Sequence, residues 1–387
     1  MKAKILWSLL LCSSLFAEDQ GIDCYGTFSG QLRSIYAAYD YKKDLNDTYA
    51  TSIGGQLRYS TTSFNGLSGA GAVYVTQDIK YLSGEDQSHN NELSSSNGHY
   101  ATLGEAYLEY QNGAIELRAG RQVLDTPFAN SDDIRMVQNT FEAYLAKYTY
   151  EKFTFLAGKL QSWQGYDEGL KNGFETIGKE GAWLTSISYN DRGFSASAWE
   201  YLITDFADIF YADTDIEKSF DEKIDLHVSL QYTNQKEQKQ SGIDAQIYGL
   251  KALFHYDAFE MNIAYNYAAV SAGKESFGGY GGGILYTNMG TMILNNIAKD
   301  RNSKAYFLGM SYSMESLKLL YSLGEFQGDA DSQGQKADII EHNVGIEYNF
   351  GKKFYCSVTY VVERDLKSPD QGETNWNRTQ ITGTYHF

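Results

Sequence analysis

Proline is nearly missing. The chain has 387 residues, 37 of them glycine, and only two prolines. Proline lacks the N–H that a continuous sheet needs, so its scarcity leaves room for long unbroken strands. Cysteine is almost as rare, at three. Cys12 falls in the leader described below, and Cys24 and Cys356 are too few for the disulfide framework of a small secreted domain. Basic residues are outnumbered, 32 Lys and Arg against 49 Asp and Glu, for a formal net charge of -17. Such a chain is no partner for nucleic acid, which is bound by neutralising its phosphates. It suits a secreted or surface protein, and one that attracts cations where acids line a cavity. Past the N-terminus no stretch approaches the roughly 20 apolar residues that a helix needs to cross a bilayer.

The N-terminus, MKAKILWSLLLCSSLFA, has Lys2 and Lys4, then an apolar run, then small residues. This is the pattern of a secretory leader, residues 1–17, with cleavage after Ala17. Its removal takes two lysines and no acid, so the mature chain is more acidic still. A lipoprotein leader built on Cys12 would want a small residue before it, and Leu11 is bulky. Residues 18–387 show no linker, no break in composition and no exact repeat, so they read as one unit.

What is abundant is aromatic: 32 Tyr and 20 Phe, with a mean hydropathy of only -0.43. That combination suits strands that are apolar on one face. In GTFSGQLRSIYAAY, Phe28, Leu32 and Tyr36 alternate with Ser29, Gln31 and Arg33. In KIDLHVSLQY, Ile224, Leu226, Val228, Leu230 and Tyr232 alternate with polar residues, and IIEHNVGIEYNF repeats the pattern. Period two is the mark of a half-buried strand. Short turns follow residues 63, 110, 149, 189, 219, 254, 313 and 349. Between them fall long connections near 40–49, 83–99, 122–140, 164–180, 234–241, 271–301, 328–337 and 365–374, with a brief one at 204–207. This predicts an all-β protein, a transmembrane antiparallel β-barrel of about 18 strands with short periplasmic turns and long extracellular loops. A β-sandwich would bury its apolar face between two sheets and would not need the short/long alternation. The last strand, TQITGTYHF, ends in Tyr385 and Phe387 on one face, which resembles the signal read by the outer-membrane assembly machinery. Cys356 shares the lipid-facing parity of Phe354 and Val358, and Cys24 starts a strand two removed. The spacing of about 10 Å is too wide for a disulfide, so two free thiols are expected.

One loop stands apart. GRQVLDTPFANSDDIRMVQNTFE, residues 120–142, is long, partly apolar, and carries both signs of charge. A barrel of this size encloses water and discriminates poorly unless narrowed. Folded inward, the loop 122–140 would pin itself with Val123, Leu124, Phe128, Ile134, Met136 and Val137. It would present Asp125, Asn130, Ser131, Asp132, Asp133 and Arg135 at a constriction, where opposed charges set ion preference. Arg33, Arg58, Lys80, Arg118 and Lys159 are taken as polar-face wall residues. They either guide a carboxylate or pair with acids such as Glu105, Glu109 and Glu116.

The run from Gly120 to Gly169, with Pro-x-x-Asn-Ser-Asp-Asp-x-Arg-Met, the following Thr-Phe-Glu and Ala-Gly-Lys-Leu, resembles the constriction region of the OprD-type outer-membrane porins. WEYLITDFADIFYADTDI from Trp199 resembles that family's central hairpin. The resemblance implies a porin in the outer membrane of a Gram-negative bacterium, with passive diffusion of small hydrophilic solutes and Arg135 in the place of the constriction-loop arginine. Its implied surroundings are outer-membrane lipid and lipopolysaccharide, as a monomer or homotrimer. Two features depart from the family: Gln138 and Asn139 replace a common Pro-Gln, and the basic ladder of its selective members is thin. A surface-binding, adhesin-like barrel with a closed lumen is the alternative. No nucleophile–base set points to an enzyme, and no spacing points to a metal or cofactor. The acidic stretches DYKKDLND and QGDADSQGQKAD read as solvated loop tips, and GGYGGG at 278–283 as a source of mobility in its loop.

Overall fold

The computed structural model describes residues 26–43, 45–369 and 374–387. The leader and Cys24 lie outside that range. The alternating segments form eighteen strands. These are β1 (Gly26–Tyr41), β2 (Thr48–Thr61), β3 (Leu67–Asp78), β4 (His99–Asn112), β5 (Ile115–Gln122), β6 (Thr140–Tyr150), β7 (Phe153–Gln164), β8 (Ala182–Asp191) and β9 (Phe194–Ile203). The second half comprises β10 (Ala207–Ser219), β11 (Ile224–Glu237), β12 (Ala245–Tyr256), β13 (Phe259–Val270), β14 (Ser303–Met314), β15 (Leu317–Gly328), β16 (Ala337–Phe350), β17 (Phe354–Asp365) and β18 (Asn375–His386). Each pairs antiparallel with its chain neighbours, and β1 pairs with β18, from Gln31 opposite His386 to Tyr41 opposite Trp376. The sheet therefore closes and leaves no edge, which is what a lipid-embedded sheet requires. Phe387 completes the seam by exchanging backbone hydrogen bonds with Gly30 at 3.1 and 3.2 Å. All the short turns lie at one end and the long loops at the other, as the spacing predicts.

The two faces follow the alternation. On β11, Leu230 is 55% exposed toward lipid, while its neighbours Ser229 and Gln231 are buried on the lumen side. Cys356 lies on the lipid side, opposite Tyr348 and Gly383, and is a free thiol.

The inward face is not uniformly polar. Along β10, Ala207, Ile209 and Tyr211 are buried, and Asp213 and Asp215 follow on the same face. Ile35, Leu160, Leu184, Ile247, Phe326 and Ile339 are likewise buried inside, toward the long-loop end. They pack against loops folded into the lumen, in three apolar clusters. The hydrophobic core of this protein thus lies between wall and loops, in the extracellular half.

The face assignment is testable on β17. Val358 points to lipid between Ile346 and Ile381, and Thr359 points to the lumen. Val358→Arg should destabilise the barrel by about 2–4 kcal/mol, the cost of a cation at the bilayer midplane. Thr359→Arg should cost clearly less, as read by denaturant unfolding in lipid bilayers. Equal costs would mean that the faces are misassigned.

Candidate functional site: a constriction built from four loops

Loop 3 (residues 123–139) is the segment singled out by sequence. It opens with a tight hairpin in which Asp125–Thr126 pairs with Ala129–Asn130. Pro127 occupies the turn position that suits its fixed φ. Asp125 accepts hydrogen bonds from the Ser131 amide at 3.1 Å and hydroxyl at 2.7 Å, and Asn130 caps the Asp132 amide at 2.8 Å. Three of the expected constriction residues therefore shape the loop itself. Phe128 anchors it: its ring lies 5.6 Å from Tyr201, 6.3 Å from Tyr211 and 6.2 Å from Phe277. Leu124 is buried in the same cluster, and Met136 and Val137 in a second one with Ile35, Leu93 and Leu170. Ile134 is not a pin. It is 46% exposed, because it sits beside Asp133 at the watery tip rather than against the wall.

Charge fastens the tip to the seam of the barrel. Arg33 of β1 donates to both carboxylate oxygens of Asp133, at 2.6 and 3.2 Å, and to the Arg135 carbonyl at 2.5 Å. Glu92, from the loop after β3, lies between two arginines. Its Oε1 is 2.6 Å from Arg135 Nε and 2.5 Å from Arg378 Nη2 of β18. Arg135 stacks over Tyr166 at 5.1 Å and Arg378 over Tyr39 at 5.6 Å. Arg135, Glu92 and Arg378 are 6, 8 and 3% exposed. Arg135 is thus a buried fastener of loops 2, 3 and 4.

Loops 2, 4 and 7 were not legible as inward loops. Leu93 of loop 2 (79–98) is fully buried, and Leu170 of loop 4 (165–181) nearly so. Loop 7 (271–302) enters the lumen and zips onto loop 3: Tyr280 donates to the Phe128 carbonyl and Asn130 to the Tyr280 carbonyl, both at 2.9 Å. Its far limb is held by Glu341 of β16, which accepts from Thr291 and the Met292 amide at 2.6 and 2.7 Å. The GGYGGG run is therefore a packing surface and not a mobile stretch. Gly281, at φ +97, lies so close to loop 3 that a Cβ would fall 2.1 Å from the Asn130 carbonyl. Loops 3, 4 and 7 meet at Asp132, beside Gly282. Burial and the neighbouring Asp167 carboxylate push Asp132 up to about 6.

Below the loops, Arg58 lies 3.5 Å from Glu105, and Arg118 donates to Glu109 at 2.7 Å. Lys147, which the sequence reading passed over, pairs with Glu116 at 2.5 Å. Two expected wall residues lie elsewhere. β3 stops at Asp78, so Lys80 sits in an exposed 3-10 turn, Lys80–Leu82, outside the alternation. Lys159 shares the parity of Phe155 and stands opposite Tyr144 and Trp183, so it faces lipid. Among the described residues no group of His, Cys, Asp and Glu is arranged to hold a metal.

A closed membrane barrel whose lumen is narrowed by its own loops is the architecture of an outer-membrane diffusion channel. A family model described as outer membrane porin, OprD family, matches residues 24–350, and the chain belongs to that family. It is a porin of the Gram-negative outer membrane, through which small solutes diffuse passively. Similar solved structures include OccAB4 of Acinetobacter baumannii, at 15% identity and TM-score 0.79 over 95% of this chain and 100% of that one. OccAB3 of the same organism gives 12% and 0.80 over 94% and 99%. OpdK of Pseudomonas aeruginosa, solved with vanillate, gives 13% and 0.78 over 93% and 98%. A search of curated proteins found none that matches.

Two substitutions test the fastening. Arg33→Ala leaves Asp133 and the Arg135 carbonyl without their donor; Asp133 stays partly in water, so the loss is that of a charge-assisted hydrogen bond, about 1.5–3 kcal/mol. Gly281→Val forces loop 7 off loop 3. Both should give larger, noisier single-channel steps in planar bilayers, from barrels that still fold. Wild-type steps from both variants would mean that the loops are held by other contacts.

Proposed function

We propose that this porin favours small cationic and zwitterionic hydrophilic solutes, with loop 3 as its constriction. The supporting observation is the state of the arginines. Arg33, Arg58, Arg118, Arg135 and Arg378 each lie within ion-pair distance of a carboxylate. A permeating anion must compete with those partners. Asp132 and Asp167 stand together where loops 3, 4 and 7 meet, and two adjacent carboxylates attract cations into a narrow pore. The leader at 1–17, and Tyr385 with Phe387 as the element handed to the assembly machinery, complete the proposed route to the membrane. Both aromatics are 41% exposed on the outer wall.

The sign of the pH response follows from Asp132. Its carboxyl is neutral below about 6 and anionic above it. Cation selectivity, read as reversal potential under a salt gradient, should therefore rise as pH increases through 6. Asp132→Asn should flatten that step and leave the pore open. Anion selectivity at pH 8 would overturn the proposal. A pH step that survives in the variant would assign it to another group.

A further inference from the structure

The lipid-facing wall should carry few free charges, because an unpaired cation is costly at the bilayer midplane and tolerated only toward the interface. Two cations that break this rule stand toward the long-loop halves of β5 and β7, with β6 between them. Lys159 projects outward between Tyr144 and Trp183, with its ammonium 5.8 Å from the Trp183 ring. Arg121 projects outward two residues nearer the loops, 4.4 Å over Phe174, with a long 3.4 Å contact to the Leu103 carbonyl. Among the described residues neither forms an ion pair. Glu142 lies opposite Arg121 but does not reach it; its oxygens accept from the Tyr144 and Ser162 hydroxyls, each at 3.2 Å.

Directly toward the short-turn side of the Lys159 row lies a shallow outer groove of about 530 Å³. Ala119, Ala146 and Ala157 form its floor, and Leu117, Tyr144 and Trp183 its sides. Leu117, Ala146 and Ala157 occupy one register row, the next outward-facing one below the row of Tyr144, Lys159 and Trp183. The same two aromatics therefore border both the cation and the groove. A charged head and an apolar tail, joined end to end and lying along the bilayer normal, would satisfy both.

We propose that this strip binds a phosphorylated glycolipid of the outer leaflet. One phosphate sits on Lys159 and Arg121, and one acyl chain lies in the alanine-floored groove. Charge complementarity selects the head. On a chain of net charge -17, two cations without carboxylate partners are a local attraction for an anion. An ammonium and a guanidinium supply donors for several phosphate oxygens, and such charge-assisted bonds are the strong ones. The groove selects a lipid over free phosphate, which would gain nothing from it. The inference is independent of which solute passes through the lumen.

The test is retention of lipid A by the full-length mature protein in detergent, read by native mass spectrometry. One molecule should be retained by the wild type. Binding should weaken about tenfold or more for each cation removed in Lys159→Gln and Arg121→Gln, the worth of one charge-assisted bond. Lipid A stripped of phosphate should bind the wild type as weakly as the double variant binds the intact lipid. Ala157→Trp, which keeps both cations and fills the groove, should also weaken retention. The double variant should keep the wild-type reversal potential, since both side chains lie outside the pore. Undiminished retention by the double variant, or equal binding of phosphate-free lipid, would overturn the proposal. So would a three-copy mass without lipid, or a shifted reversal potential in Lys159→Gln. Should the double variant fail to fold, phosphate-free lipid on the wild type and Ala157→Trp decide the question.

Discussion

Everything in this molecule follows from one constraint: inside a bilayer each backbone N–H and C=O must find a partner in the protein. Strands satisfy it only by closing, and here closure comes at β1 and β18. Eighteen strands enclose a lumen too wide to be filled by wall side chains. The loops must then do what side chains do in smaller barrels. Loops 2, 3, 4 and 7 turn inward, and the inward wall positions beneath them become apolar to receive them. The switch along β10, from Ile209 and Tyr211 to Asp213 and Asp215, marks where loop packing gives way to water.

The charges near the constriction are best understood as fasteners first. A charge taken out of water must be paired, because the desolvation cost is otherwise prohibitive. Arg33, Arg135 and Arg378 meet that demand with Asp133 and Glu92 and with the faces of Tyr39 and Tyr166. Three arginines hold the ends of three loops to the barrel seam, and in doing so their charge is spoken for. Asp132 lies outside these ion pairs, beside Asp167, whose carboxylate accepts from Asn139 and ties loop 4 to loop 3.

Much of this was legible in the sequence, for a physical reason. A strand between lipid and water has a local signature of period two, and a hairpin turn has a local length. Both survive without any knowledge of neighbours, so strand number and loop order could be read. The inward course of loops 2, 4 and 7 could not, because what draws them inward is contact with residues distant in the chain, such as Phe128 with Phe277 and Thr291 with Glu341. One signal was available: inward positions such as Phe326 and Ile339 are apolar where a wet wall would be polar. The misplacement of Lys80 and Lys159 has a narrower cause. Alternation assigns a face only within a strand, and Lys80 lies past the end of β3. A charged residue is not proof of a polar face, and Lys159 follows Phe153 and Phe155 in outward parity.

The same reasoning explains why relatives at 12 to 15% identity keep TM-scores near 0.8. The barrel asks of each wall position only a class, apolar toward lipid and polar toward water, and many residues satisfy a class. The constriction asks for more. Asn130 must meet a glycine at 281, Glu92 must reach two arginines, and Arg33 must find both a carboxylate and a carbonyl. These are demands on particular atoms, and they sit on loops that can change without disturbing the sheet. Sheet and loop contacts therefore answer to different constraints, the one met by a class of residue and the other by particular atoms.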